Sequence, residues 1–374
     1  MNSPLTDYLT AIASDIPPAL IDSESLTNIQ QLVKELPAEL TSLFGFECRL
    51  GKNQDAVDFL LCTRHCQVGS QILTGTHPKT KLPERFFTNP VWQKVRNFSS
   101  LWTQPNSLLS QKVDNVCLEF DIDKENPDIP VPSFFIGVKN LRQEISQPDN
   151  YYQWVEQSLL DLMLDDQLPT DVKSKVRECF TKVPNEGRIF HIGLMLARTT
   201  NSVRLCLSGL SGTEILEYLY SIGWEDISGN FSQVLLNISD LVDRLALDID
   251  VSTTVNSKIG VECYFDSLTL TDNNPKLNKF LEYLIKNDLC TPAKSDALLQ
   301  WRGYNTRNTQ EFWPEHLLAA AELLQGNFIS TIIRDINHIK LVYSPNSPLQ
   351  AKGYILVEHY WSHKKQQKQA AVTG

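Results

Sequence analysis

Alternation of apolar and polar positions is clearest at the end of the chain. From Asn337 to Trp361, two alternating runs flank Ser344-Pro-Asn-Ser-Pro348, the pattern of a β-hairpin around a tight turn. In the second run Lys352, Tyr354, Glu358 and Tyr360 share one face, and Ile355, Val357 and Trp361 share the other. The apolar face suits a covering layer of helices. The opposite face carries ammonium, phenol and carboxylate groups, which a dry core does not tolerate.

Four earlier strand pairs repeat this pattern: Phe46–Leu50 with Val57–Arg64, Val116–Ile122 with Phe134–Val138, Ile189–Ala197 with Val203–Ser208, and Leu245–Val251 with Ile259–Phe265. Helical periodicity fills the intervals. Ser25 to Leu43 is helical apart from a break at Pro37, and Leu277, Phe280, Leu281 and Leu284 follow the i, i+3, i+4, i+7 rule. Ser211-Gly-Thr-Glu214 reads as a capping box, and Thr291-Pro292 as a helix start. Residues 67–88 and the stretch from Trp301 to Trp313 read as loops. The order helix, helix, strand, strand thus recurs about five times, at an irregular period of roughly 55 to 95 residues.

Five antiparallel hairpins with helices between them form either an open α+β sheet or a closed ten-stranded antiparallel β-barrel with the helices outside. Closure removes exposed sheet edges, and a wide lumen can hydrate or pair charges, so the polar strand faces favour the barrel. Residues 25–363 then form a single domain. Residues 1–24 read as an N-terminal extension with a short helix, and 364–374 as a disordered, basic tail.

Composition changes this picture little. The 374 residues are 42% hydrophobic and 21% charged, with a formal net charge of −10, which speaks against a nucleic-acid partner. No apolar run suggests a membrane span, and the N-terminus lacks the order of a signal peptide, so the expected compartment is the cytosol. The eight cysteines are expected to be reduced and partly buried. Cys62-Thr-Arg-His-Cys66 gathers three possible zinc ligands but has no second cluster to complete a site.

If the apolar strand faces meet the helices, the polar faces line a chamber. They carry Glu47, Arg49 and Asp58; Cys117, Glu119 and Asp121; Phe135, Gly137 and Lys139; and His191, Gly193 and Met195. The later hairpins add Arg204, Cys206 and Ser208; Arg244, Asp248 and Asp250; Lys258, Glu262 and Tyr264; His338 and Lys340; and Lys352, Tyr354, Glu358 and Tyr360. A wet face on one side of a sheet is the plain alternative for any single strand. Cross-strand ion pairs, such as Arg244 with Glu262 or Lys340 with Glu358, account for part of the charge. Lysine and arginine among tyrosines suit a diphosphate and a shielded carbocation, and a carboxylate at the mouth suits a base or an acceptor contact.

With these residues the chain resembles the aromatic prenyltransferases of the ABBA (PT-barrel) type, especially the indole, dimethylallyl-tryptophan synthase branch. The resemblance spans most of residues 25–361. In that branch an acidic residue on the first strand holds the aromatic acceptor, and Glu47 stands at the matching position. The Lys-x-Tyr pattern that binds diphosphate is met by Lys352-Gly-Tyr354, in the last hairpin. Arg204-Leu-Cys-Leu-Ser208 keeps the arginine of a second pattern, with Cys206 and Ser208 in place of lysine and tyrosine, and Asp58 stands where arginine is usual. Glu47 is the expected catalytic residue. The expected substrate-binding set is Arg204, Arg244, Lys258, Tyr264, His338, Lys340, Lys352, Tyr354, Glu358 and Tyr360.

The resemblance implies an enzyme that moves an isoprenoid from its diphosphate to an aromatic or peptide acceptor in natural-product biosynthesis. It requires no cofactor and no protein metal site, with Mg²⁺ as an optional bridge through Asp248 and Asp250. The same barrel acting differently on a peptide or small cationic substrate, and a non-catalytic binding scaffold, are the alternatives. Nucleotide-binding loops, HExxH and GxSxG motifs are absent from the sequence.

Overall fold

The computed structural model describes residues 3–122, 128–139, 152–164, 168–198, 202–226, 228–266, 274–324 and 327–363. The sequence-predicted tail, residues 364–374, lies outside them, as does part of the helix expected from Asp149. Among the described residues eleven strands form one antiparallel sheet. They are β1 (Leu43–Arg49), β2 (Val57–Arg64), β3 (Val113–Phe120), β4 (Ser133–Val138), β5 (Arg188–Leu194), β6 (Val203–Ser208), β7 (Arg244–Val251), β8 (Val255–Tyr264), β9 (Gly303–Thr306), β10 (Phe328–Ser344) and β11 (Ser347–His363). Pairing runs from β1 in order to β8, then to β10, β11 and back to β1, so ten strands close a barrel, with the early half of β10 and the end of β11 running beyond the ring.

Two features depart from the expected hairpins. The last hairpin is much longer than its alternating run, because β10 begins at Phe328 and β11 continues to His363. A bulge at Asn337 divides β10. Its later half pairs with β8 through Ile339–Tyr343, and its earlier half, Thr331–Arg334, pairs with β9, in a stretch where the sequence pattern predicts a loop. Residues 67–88 are likewise not wholly irregular, since Val68–Thr74 is a helix ended by Gly75 at φ 74°.

Outside the barrel, helix ends carry the sequence signals that predicted them. Ser211 and Glu214 complete a capping box ahead of Gly212–Ser221. Asn274 and Thr291 cap Pro275–Lys286 and Pro292–Trp301, each with proline in its first turn. The helices cover the outward, apolar strand faces. Phe46 meets Trp301 with ring centroids 6.2 Å apart, and Phe98 meets Phe134 at 5.0 Å. Burying such aromatic faces is the main force holding helices to barrel.

The N-terminal segment is packed into this layer. Leu5, Leu9 and Ile12 are buried, and Asp15 accepts from Arg334 of β10 and Asn305 of β9. The cysteine expectation is corrected at one pair. Cys62 and Cys117 lie directly opposite each other on β2 and β3 and form a disulfide, which also removes Cys62 from any zinc site. The strand pattern places both thiols on inward faces but is silent on register, so their meeting could not be read from spacing.

Candidate functional site in the barrel lumen

The inward faces build a charged layer from β1, β2, β3, β6, β7, β8, β10 and β11. On β1, Glu47 lies opposite Tyr354 of β11 and Asp58 of β2. Its carboxylate accepts from the Tyr354 hydroxyl, from Arg49, and from Lys352 Nζ at 2.7 Å. Burial alone would raise the Glu47 pKa, but the charges of Lys352, Arg49 and Lys340 override it and hold it at about 2. Lys352 is pulled below its ordinary value, because burial and the neighbouring Arg49 outweigh the single carboxylate it meets. Arg49 also donates to Asp58 at 2.8 Å.

Across the lumen, Lys340 of β10 is ion-paired to Asp248, and Arg204 of β6 grips Asp250 in a two-pronged contact at 2.8 and 2.9 Å. Gly260 makes the first of these contacts fit. A Cβ there would stand 2.6 Å from Lys340 Cε and 3.1 Å from Asp248 Cβ. Each acid of the expected Asp248–Asp250 pair is therefore engaged by a cation. Among the described residues no group of three or more His, Cys, Asp or Glu side chains is arranged to hold a metal.

Two further carboxylates stand on the inward faces, outside the expected site set. Glu119 is pushed up to about 7 by burial and by the charge of Glu47. Glu262 is pushed up to about 8 by burial and by Asp248, which makes it a neutral acid near pH 7. It accepts from Tyr264 at 2.7 Å and lies 3.5 Å from His338 Nε2. The His338 Nδ1 meets Asn337 Oδ1 at 2.6 Å, so the bulge residue fixes the ring. Burial and the Lys340 charge push His338 down to about 3, and the imidazole is neutral.

Two residues along the strands from Lys352, Lys340, Arg204 and Glu119, toward the opposite mouth, stand Tyr354, His338, Cys206 and Cys117. His338 stacks on Tyr354 with centroids 4.2 Å apart and planes 21° from parallel, and Tyr264 lies 5.1 Å from His338 on its other side. The lumen is therefore a charged layer beside an aromatic one. The open space in the charged layer is only about 50 Å³, bordered by Glu47, Glu119, Arg204, Asp248, Lys340 and Lys352.

The expected site residues divide accordingly. Glu47, Arg204, Lys340, Lys352, Tyr354, His338 and Tyr264 converge within the barrel. Lys258 borders the charged space and forms no ion pair with the described residues. Arg244 sits at a mouth, over the Tyr264 ring and paired with Asp266, not with Glu262. Glu358 reaches Arg64 at 3.9 Å on the rim, not Lys340. Tyr360 is 39% exposed on the part of the hairpin that extends past β1.

This architecture, a ten-stranded antiparallel barrel wrapped by helices, is the PT-barrel of the ABBA type. Among solved structures, 6-dimethylallyltryptophan synthase from Micromonospora olivasterospora in complex with DMASPP and Trp is similar. It covers 95% of this chain and 96% of its own, with a TM-score of 0.52 and 10% identity. AnaPT from Neosartorya fischeri aligns over 96% and 90% of the two chains, at 14% identity and a TM-score of 0.46. No family model and no curated protein sequence matches the chain. At these identities the likeness is one of fold. Among the described residues no helix is long and apolar enough to cross a membrane.

Proposed function

We propose that the barrel transfers an isoprenoid from its diphosphate to an aromatic or peptide acceptor. The observation that carries this reading is the juxtaposition of the two lumen layers. Arg204, Lys258, Lys340 and Lys352 gather at one level, and the Tyr264–His338–Tyr354 stack lies beside them. The cations suit the donor's phosphates, and the aromatic faces suit an allylic cation. Fold likeness to a structure holding DMASPP and Trp supports the same substrate classes.

In this reaction the bond between the donor's first carbon and oxygen breaks, and its electron pair leaves with diphosphate. The acceptor's aromatic carbon attacks the allylic cation, and the new carbon–carbon bond forms. The ring then loses a proton. Glu119, with its proton affinity raised to about 7, is the luminal carboxylate suited to receive it. Glu47, saturated by three donors, suits orientation of the acceptor rather than proton uptake.

One observation favours a second reading, in which the barrel carries out a different modification of a peptide or small cationic substrate. Arg49, Arg204, Lys340 and Lys352 are each matched by a carboxylate, and a space of about 50 Å³ has room for only a few water molecules. A diphosphate must displace those carboxylates. Calorimetric titration with dimethylallyl and geranyl diphosphate, followed by incubation with tryptophan and a tryptophan-containing peptide, separates the readings. Donor binding and a prenylated product are the expected results. Absence of both for every donor overturns the transferase and leaves the second reading.

A further inference from the structure

A much larger opening lies outside the charged layer. It is a groove of about 1250 Å³ at the mouth where β6 ends and β7 begins. Arg188, Phe190, Ser208, Arg244 and Tyr264 are among the residues that line it. Its volume exceeds the roughly 1,000 Å³ at the upper end of small-molecule sites, so it has room for a segment longer than a single amino acid.

The groove is continuous with the candidate site through one side chain. Tyr264 lines it and also stacks on His338, whose other face meets Tyr354, the donor to Glu47. Tyr264 thereby joins the lining of the groove to the aromatic layer, which Tyr354 links to Glu47.

The groove's charges are unequally engaged. Glu214 is committed to the helix capping box, Asp243 is paired with Lys276 at 2.7 Å, and Arg244 is paired with Asp266. Glu186 is a further carboxylate on the lining. Arg188 donates through Nε to the Ser208 hydroxyl at 3.1 Å and has no carboxylate partner among the described residues. Its terminal nitrogens remain as a fork that matches a carboxylate.

Resting on the transferase reading, we infer that this groove binds the acceptor as a peptide segment, one carboxylate of which meets Arg188 while a neighbouring aromatic side chain enters past Tyr264. The carboxylate is that of an acidic residue or of the chain's own end.

Fluorescein-labelled nonapeptides of sequence GSGWGDGSG test this by anisotropy with the full-length protein and no donor. One form is C-terminally amidated. A second has asparagine for aspartate with a free C-terminus, and a third has asparagine with an amidated end. The first or second binds, identifying the carboxylate source, and the third binds about tenfold more weakly. Arg188→Gln lowers the affinity of the bound form about tenfold, and Arg188→Lys restores only part of it. Circular dichroism and melting of both variants match the parent, since Arg188 lies on the surface. Equal affinity for all three peptides, equal affinity in Arg188→Gln, or no binding up to about 1 mM overturns the inference. Because the donor is absent, a failure of diphosphate binding leaves this result intact, and the two proposals fail separately.

Discussion

Glu47 sits where three donors converge, and its environment decides what it can do. A carboxylate held at about 2 by Lys352, Arg49 and Lys340 is an anion at any working pH and a weak base. Replacing it with glutamine removes the partner of Lys352 and one of the two partners of Arg49. Breaking a buried pair from one side costs about 3 kcal/mol, so Glu47→Gln should lower unfolding stability by that order in urea titration. The same change frees Lys352 and leaves Arg49 with Asp58 alone, and inorganic diphosphate should bind the variant more tightly than the parent in calorimetry. Unchanged affinity would place Lys352 and Arg49 out of reach of phosphate. That Glu47, Lys352 and Tyr354 all face inward was legible from alternation, which is a local property of each strand. Their mutual contact was not, because the register of β1 on β11 is set by a ring of pairings closed over three hundred residues of chain. The incorrect pairings expected for Arg244 and Lys340 have the same origin.

Elements outside the barrel hold this geometry in place. Lys294, on the helix Pro292–Trp301, is buried, and its ammonium is received by the carbonyls of Arg49 at 2.9 Å, Gly51 at 3.3 Å and Gln54 at 2.5 Å. The helix thereby clamps the turn between β1 and β2, from which Arg49 reaches Glu47 and Asp58. Lys294→Met keeps most of the apolar stem but strands three carbonyls. The three carbonyls share one ammonium, and hydrogen bonds to a charged group are worth roughly 1.5 to 3 kcal/mol, so a loss of about 3 kcal/mol is expected in urea unfolding. A loss below about 0.5 kcal/mol would mean that water replaces the ammonium without cost. The alternating pattern found the helix and its Thr291-Pro292 start, yet nothing in it marks a lysine on an otherwise covered face as a clamp. β9 was missed for a related reason. Gly303-Tyr-Asn-Thr306 is too short to alternate and is a strand only because the early half of β10 offers it an edge.

At the scale of the whole molecule, the repeat of helices and hairpins was legible because each unit buries one face and leaves one polar, and closure follows from having no edge to spare. What the repeat does not reveal is that the lumen is a balance of opposed titrations, and this fixes how stability depends on pH. Glu119 and Glu262, raised from an ordinary 4.5 to about 7 and about 8, keep protons in the folded chain that the unfolded chain releases. Their contribution is complete below about 4.5 and is lost as pH rises through 7 and 8. His338, His191 and His359 are buried neutral, lowered from 6.5 to about 3, about 4 and about 4. Below 6.5 the unfolded chain takes up protons that these folded imidazoles refuse, so stability is lost toward acid, and Glu47 adds to that loss between about 4.5 and 2. The two slopes cancel at about pH 6 to 6.5, where the melting temperature should peak. Glu262→Gln removes the loss that extends furthest into alkali, so its peak should move upward and its curve should flatten above neutrality. Melting scans across pH 4 to 9 by circular dichroism measure both curves. A parent curve that stays level between about 6.5 and 8.5, or a variant curve that superposes on it, would show that Glu262 is ionised in the folded barrel and that the Asp248–Lys340 pair stands without its proton.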